Sequence, residues 1–207
     1  MTMAPAQARP GRSVGARGFT LVELLTTVAL LSILLALAAP SFTTWIRNTR
    51  VRTASDALQN GLRLAQAEAV RRNRQVVFSL TNAQPSLTSV AVANGVNWAI
   101  HSIPLVGDEA REFVQGGALA DFTGGVTITG RAALCFNSAG RQAANPDPGF
   151  GAAIPCTVSA ATPFVRYDLA ATGSDRPLQI TVSLGGQVRL CDPNRTLSAT
   201  VPEGCPT

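Results

Sequence analysis

The chain has 207 residues, which is enough for a leader, one long helix and one modest globular domain. Its formal net charge at pH 7 is +5, and all 17 of its basic side chains are arginines. The absence of lysine excludes a P-loop lysine, a Schiff-base lysine and a Ser-Lys dyad as sources of chemistry.

The charge is unevenly distributed along the chain. Residues 1–18 carry three arginines and no acid, and residues 47–74 carry seven arginines against Asp56 and Glu68. From residue 75 onward, seven arginines face nine acids. The positive charge is therefore concentrated in residues 1–74, the basic stem, whereas residues 75–207, the head, are mildly acidic. This distribution argues against a head that binds polyanions over its whole surface.

The N-terminal segment, residues 1–18, is rich in Ala, Pro, Gly and Arg and is predicted to be a disordered leader that the mature protein lacks. Its arginines would hold it in the cytoplasm by the positive-inside rule. The next 21 residues, Phe19–Ala39, contain one ionisable side chain, that of Glu23. A helix of this length extends about 31 Å, so we predict a transmembrane helix over residues 19–39. A carboxylate there costs roughly 2.5–3.5 kcal/mol, which makes Glu23 a candidate functional residue.

The stretch Gly18-Phe19-Thr20-Leu21-Val22-Glu23 resembles the processing site of type IV pilins and of the pseudopilins of type II secretion. The resemblance implies that a prepilin peptidase cuts between Gly18 and Phe19, that Phe19 is then N-methylated, and that Glu23 is the fifth residue of the mature chain. It also implies a role in assembly for Pro40, which lies where many pilins kink their helix.

Two roles for Glu23 follow. In the family, this glutamate pairs with the positively charged amine of a neighbouring subunit's first residue during filament assembly, which relieves two charges in a medium of low dielectric constant. In the alternative, the side chain only extends to the nearby interface and has no partner.

An ordinary secretory signal is the competing interpretation of this region. Ala36-Leu37-Ala38 is a possible signal-peptidase site after an apolar core, and a cut there would leave a free periplasmic β domain that begins at Ala39. Three features oppose it: Glu23 interrupts the apolar region, that region is long for a signal peptide, and Pro40 lies just beyond the cut.

After Pro40 the helical pattern continues as an amphipathic stem over residues 40–74. Six apolar residues are spaced by three and four and share one face: Val51, Ala54, Leu58, Leu62, Ala65 and Ala69. Arg52, Arg63 and Arg74 recur every eleven residues on the opposite face, and Asp56 lies one turn after Arg52. We predict a helix that packs its apolar stripe on a domain and turns an arginine ridge outward.

The remainder, residues 75–207, is predicted to be a β head. Short β-branched or aromatic segments alternate with Gly, Pro, Asn and Ser, which favours antiparallel sheets. The predicted strands are 76–80, 87–93, 96–103, 126–129, 133–136, 164–169, 178–184 and 188–191. Residues 145–155 are predicted to be a surface loop, and the tail from Asp192 is predicted to be irregular and held by a disulfide.

Four cysteines, Cys135, Cys156, Cys191 and Cys205, all follow the membrane segment, in a part of the chain predicted to reach an oxidising compartment. Two disulfides are therefore expected, with three possible pairings. The pairs 135–156 and 191–205 are favoured because each closes a short loop rich in Pro and Gly. The spacing does not resemble a zinc site.

Three further segments resemble the GspH/FimT family of minor pilins and pseudopilins: residues 45–73 of the stem, and Asn97–Ile100 and Leu134–Arg141 in the head. The resemblance implies a type IV pilin-like α+β fold with a long N-terminal helix packed on an antiparallel sheet. It also implies a structural subunit in the inner membrane with a periplasmic head. Its partners would be other minor and major pilins or pseudopilins in a type IV pilus or type II secretion pseudopilus.

DNA uptake is the alternative role within this family. Some FimT-like minor pilins bind DNA through a Gly-Arg-x-Arg motif near the C-terminus. Here the corresponding stretch is Gly186-Gln187-Val188-Arg189, so only Arg189 is retained, and Arg195 is the nearest possible replacement. Phosphate contacts come mainly from Arg and Lys, so the loss of one arginine weakens the expected site.

Catalysis has little support in the sequence. His101 is the only histidine, and no Ser, Cys or carboxylate accompanies it at a spacing typical of a catalytic group. We expect a non-enzymatic protein without a cofactor or metal.

Overall fold

The computed structural model describes residues 18–106, 109–121, 123–149 and 154–206. The predicted leader and its arginines, residues 1–17, lie outside the described residues. The chain divides into two compact units, one that ends at Pro40 and one that begins at Ser41. A single α-helix, α1, spans Leu21–Arg72 and contains Pro40.

Both ends of α1 have recognisable caps. At the start, the Thr20 hydroxyl accepts a hydrogen bond from the backbone N–H of Glu23 at 3.2 Å, as an N-cap residue does. At the end, Asn73 has a φ of 49°, and Arg74 N donates to the carbonyl of Ala69 at 3.2 Å. This is the left-handed termination typical of helices, and it turns the chain into the first strand.

In the first unit, the described residues from Gly18 to Pro40 are all exposed. The polar side chains of this segment bond to the helix backbone: the hydroxyls of Thr26, Thr27 and Ser32 donate to carbonyls three or four residues earlier, at 2.7–3.0 Å. A helix that satisfies its hydroxyls internally presents almost only apolar atoms to its surroundings, which suits a bilayer.

In the second unit, the stem part of α1 buries the predicted stripe. All six residues of the stripe have no exposed surface: Val51, Ala54, Leu58, Leu62, Ala65 and Ala69. They belong to one hydrophobic core with side chains from both sheets of the head. The amphipathic periodicity of the sequence is therefore confirmed.

Ten strands follow α1 in chain order: β1 Val76–Thr81, β2 Asn97–Ser102, β3 Glu112–Gly117, β4 Val126–Gly130, β5 Ala133–Phe136, β6 Gln142–Ala143, β7 Phe164–Ala171, β8 Leu178–Ser183, β9 Val188–Thr196 and β10 Gly204–Cys205. They form two five-stranded sheets with the spatial orders β3-β2-β1-β5-β6 and β10-β9-β8-β7-β4. Pairing is antiparallel except between β9 and β10, which run parallel.

The two sheets and the stem share aromatic contacts. Phe78 on β1 stacks on Trp98 on β2 with ring centroids 5.8 Å apart, and it meets the edge of Tyr167 on β7 at 6.2 Å. A Cβ atom at Gly61 of the stem would lie 2.9 Å from the Trp98 ring, so helix and indole are in direct contact. These observations confirm the α+β class, a long N-terminal helix packed on antiparallel-rich sheets.

One predicted strand is wrong, and β3, β6 and β10 lie outside the predicted strands. Residues 87–93 form turns and irregular backbone, because Ser86 and Ser89 bond to each other's backbone and side chain and close a local turn. β3 was not predicted because its sequence, EFVQGG, ends in two glycines. The tail is more regular than predicted, since β9 continues to Thr196 and β10 pairs beside it.

Candidate assembly and interaction sites

The residues predicted to form the processing site lie in uncovered backbone just before the helix. Gly18 and Phe19 precede α1 in irregular structure, Phe19 is 85% exposed, and a Cβ atom at Gly18 would meet no neighbouring atom within 4 Å. No other part of the described chain therefore covers the predicted cleavage site.

Glu23 occupies the third position of the first helical turn. Thr20 and Glu23 have the Thr-x-x-Glu spacing of a capping box, in which the carboxylate can return to the N-cap backbone. A negative charge here is also stabilised by the helix macrodipole. The carboxylate is exposed, so the same position can present it to another chain.

The segment that carries Glu23 is long and apolar enough to cross a membrane, and it is the one such helix among the described residues. Pro40 closes it. Since proline has no backbone N–H, the carbonyl of Ala36 loses its usual helical donor there, yet α1 continues through the position.

The C-terminal end of the stem is joined to the head by an ionic cluster. Glu68 accepts from Arg71 at 2.6 Å and from Arg72 at 2.7 Å, and Arg72 also pairs with Glu112 on β3. Arg74 pairs with Glu109. Hydrogen bonds from Arg71 and then Arg72 lower the pKa of Glu68 to about 2, and the contacts with Arg72 and Arg74 lower the pKa values of Glu112 and Glu109.

The predicted arginine ridge is therefore not a free basic surface. Arg52 pairs with Asp56 at 3.1 Å, and Arg63 donates to the carbonyl of Val188 at 3.5 Å. Arg74 is half-buried in its pair with Glu109. The sequence could not indicate the partners Glu109 and Glu112, because they depend on where β3 and the preceding loop fold.

The four cysteines form two disulfides, Cys135–Cys156 and Cys191–Cys205, with Cα atoms 5.7 Å and 5.0 Å apart. The first joins β5 to the end of the loop after Asn145, where Asn145 and Cys156 exchange backbone hydrogen bonds of 2.8 and 2.9 Å. Residues 150–153 of that loop lie outside the described residues. The second joins the parallel strands β9 and β10.

Both arginines proposed for DNA binding already have partners in the head. Arg189 donates to the carbonyl of Pro202 in the tail. Arg195 pairs with Glu203 and lies 3.7 Å from a carboxylate oxygen of Asp192. Because neighbouring carboxylates offset the charge of Arg195, the arrangement does not favour a phosphate site.

His101 is a buried member of β2 and does not face solvent. Its Nε2 lies 2.9 Å from the carbonyl of Ser86, and the ring meets the edge of Phe113 at 5.4 Å. Burial lowers its pKa to about 4. Within the described ranges there is also no group of three metal-binding side chains.

Two sequence profiles match the chain. The profile described as "Type II transport protein GspH" matches residues 54–201, and that described as "Prokaryotic N-terminal methylation motif" matches residues 15–39. No curated protein sequence matches significantly.

Similar solved structures include two crystal forms of the type IV minor pilin FimU of Pseudomonas aeruginosa. The first is 17% identical with a TM-score of 0.43 and covers 74% of this chain and 98% of that chain. The second is 15% identical with a TM-score of 0.46 and covers 78% and 98%. The minor pseudopilin EpsH of the Vibrio cholerae Type 2 Secretion System is 12% identical with a TM-score of 0.45 and covers 70% and 99%.

Proposed function

This chain belongs to the GspH family of type II transport proteins, and from that membership we propose that it is a minor pilin or pseudopilin acting in filament priming and assembly. Its place would be at or near the tip of a type IV pilus or a type II secretion pseudopilus. The observation that carries the proposal is the helical segment before Ser41. The large apolar side chains from Phe19 to Leu37 are 53–85% exposed, and Glu23 is the single charged residue among them.

A segment of this kind requires an apolar surrounding at every stage. Covering a large apolar side chain is worth about 1.5–3 kcal/mol, and a dozen such residues are exposed between Phe19 and Leu37. We infer that the bilayer supplies this cover before assembly and that the helices of neighbouring pilins or pseudopilins supply it in the filament. Exchange of one apolar cover for the other lets the subunit leave the membrane without meeting water.

Glu23 would direct that exchange. Processing by the prepilin peptidase and N-methyltransferase converts Phe19 into a charged N-terminal residue four positions before the carboxylate. In a filament, the Glu23 carboxylate of one subunit would pair with the Phe19 amine of its neighbour. Such pairing favours correctly staggered helices, because a misaligned helix leaves two charges unpaired in apolar surroundings.

The proposed location is the inner membrane, crossed once, with the head in the periplasm. The two disulfides support this placement, since they use all four cysteines and such bonds persist in oxidising compartments. The three leader arginines support the same orientation.

The decisive experiment identifies the mature N-terminus and then locates the protein. Mass spectrometry should find N-methyl-Phe19, and immunogold labelling of sheared filaments should find the head at filament ends. A Gly18→Val variant, which places a β-branched side chain before the cut, should remain unprocessed in the membrane. A mature chain that begins at Ala39 would identify a secreted soluble protein, and uniform labelling along filaments would overturn the tip position.

A further inference from the structure

The first turns of the stem carry an exposed aromatic pair. Phe42 and Trp45 stack with ring centroids 5.7 Å apart, and they remain 59% and 62% exposed. Trp45 lies five residues after Pro40, in the same helix as the apolar segment. Two large stacked rings left open to solvent make this surface a candidate for contact with a partner or a membrane.

Two arginines without carboxylate partners follow this pair in the stem, and a third lies in the turn between β7 and β8. Among the described residues, Arg47 and Arg176 form no hydrogen bond or ion pair, and Arg50 donates to the carbonyl of Gly124 at 3.2 Å. The Arg47 guanidinium lies against Gly173 in the turn between β7 and β8, and Arg176 follows in the same turn. This end of the head therefore presents three positive charges, of which the carboxylate of Asp175, next to Arg176 in the turn, offsets one.

A groove of about 1020 Å³ runs between the stem and that turn. Trp45 and Arg176 line it, together with Asp175 and Asp192. Both acids are engaged, since Asp175 accepts from Asn48 at 2.6 Å and Asp192 lies 3.7 Å from Arg195. Because the Asn48 amide is neutral, Asp175 keeps its negative charge, and Arg47, Arg50 and Arg176 together exceed it by two positive charges.

We propose that these residues, Phe42, Trp45, Arg47, Arg50 and Arg176, form a juxtamembrane collar that docks on the surface of a bilayer containing anionic phospholipids. Tryptophan at the headgroup level presents an apolar ring and a polar N–H to a boundary that offers both surroundings. Unpaired arginines close to the membrane attract phosphate groups. The position of these residues in the chain suits this role, because the collar begins directly after the apolar segment. The inference rests on the membrane insertion that the proposed function includes.

The chain has two tryptophans, which makes the test specific. Trp98 is 6% exposed in the core of the head, so Trp45 should dominate quenching by lipid. We would reconstitute the full chain in vesicles of phosphatidylcholine with or without phosphatidylglycerol, each carrying lipids brominated at shallow or deep acyl positions. We expect quenching of Trp45 that is stronger for shallow bromines and increases with phosphatidylglycerol. Trp45→Phe should abolish it.

Charge variants separate the collar from the anchor. Arg47→Gln with Arg176→Gln should remove the dependence of quenching on phosphatidylglycerol. Arg141→Gln should retain it, because Arg141 is an exposed arginine next to Gly140, which contacts Gln66 much farther along the stem. Flotation of the vesicles in a density gradient tests whether the chain is bound to them. A chain that floats with the vesicles but shows no quenching by lipid would overturn the collar and leave the membrane anchor intact. A chain that does not float would contradict the anchor itself. Emission that shifts with protein concentration and not with lipid would assign the surface to a protein partner and overturn the collar.

Discussion

The backbone N–H of Glu23 donates a hydrogen bond of 3.2 Å to the hydroxyl of Thr20, so the one charged residue of the apolar segment is also the third residue of a capped helix. This relationship allows two roles for the carboxylate, a local cap or a charge for a neighbouring subunit. Gln can complete a capping box as Glu does, but it carries no charge.

The first prediction uses that difference. Glu23→Gln and Glu23→Ala should both insert and be cleaved, and both should be depleted from filaments by roughly 100-fold, the consequence of an unpaired buried charge. Thr20→Ala removes the cap at a cost of about 1 kcal/mol but keeps the carboxylate, so it should assemble. Quantitative blotting of sheared filaments measures incorporation. Wild-type incorporation of Glu23→Gln would rule out charge pairing.

The second prediction concerns acid stability. Since the pKa of Glu68 falls from 4.5 to about 2 in the folded chain, its stabilising contribution is complete above pH 4.5 and is lost as the pH falls toward 2. Glu68→Gln should lower the free energy of unfolding at pH 7 by about 1–2 kcal/mol. The difference from wild type should shrink below pH 4.5 and vanish only as the pH falls below about 2, which chemical denaturation at several pH values measures.

Asp56→Asn provides the matched control for Glu68→Gln. The Arg52–Asp56 pair has the same helical spacing as Arg72–Glu68, but its two side chains are 62% and 47% exposed. Exposed pairs contribute little, so this change should cost about 0.5 kcal/mol or less. Equal effects of the two substitutions would show that the cluster at Glu68 has no special role.

The third prediction concerns glycines that contact Trp98. A Cβ atom at Gly117 would lie 2.5 Å from the indole nitrogen, and one at Gly61 would lie 2.9 Å from the ring on the side of the stem. Gly117→Ala and Gly61→Ala should each destabilise the head by about 1–3 kcal/mol through overpacking. Gly124→Ala, where a Cβ would meet nothing within 4 Å, should have little effect. Denaturation followed by Trp98 fluorescence measures the free energy of unfolding of each variant. Equal values for the three variants would contradict direct contact between Trp98 and the backbone at Gly61 and Gly117.

The fourth prediction separates the two disulfides. Replacement of Cys191 and Cys205 by Ser should cost about 3 kcal/mol in a chain-entropy estimate, because that bond closes a short loop. The loss should be local: the tail should become sensitive to protease while the rest of the head stays folded.

Replacement of Cys135 and Cys156 should instead weaken the whole head. Cys135 pairs with Val77 between β1 and β5 and lies in a second, smaller hydrophobic cluster with Ala91. Limited proteolysis and thermal denaturation of both double variants distinguish the outcomes. A tail that resists protease without the Cys191–Cys205 bond would show that strand pairing alone holds it.

The helix could be predicted from sequence because its signals are local and repeated. The buried stripe from Val51 to Ala69 follows from helical periodicity, and the processing motif around Gly18 is contiguous. Strands such as β1 and β7 are rich in β-branched and aromatic residues. In contrast, β3 ends in Gly116 and Gly117, and glycine has no β propensity that would predict a strand. Side chains are excluded at these two positions because Pro85 and Trp98 approach the backbone closely. Only the assembled head explains those glycines.

The candidate sites divide in the same way. A role for Glu23 and the two disulfide pairings could be predicted from sequence, because the signals for them lie in neighbouring residues. The partners of Arg72 and Arg74 lie 40 and 35 residues away, and their identity depends on the fold of β3 and the loop before it. Likewise, only the structure shows that the tail engages Arg189 through the carbonyl of Pro202.

The long contact between stem and head has a mechanical consequence. The stem buries side chains at intervals from Val51 to Ala69, and the covalent connection to the head comes only after that interval, at Asn73. A force that pulls the head along the stem axis would load these contacts together, in shear, and would not peel them apart one at a time. The interface thus spreads tension over about five turns of helix, so a subunit held by its helix could bear a load on its head without stretching the short link to β1.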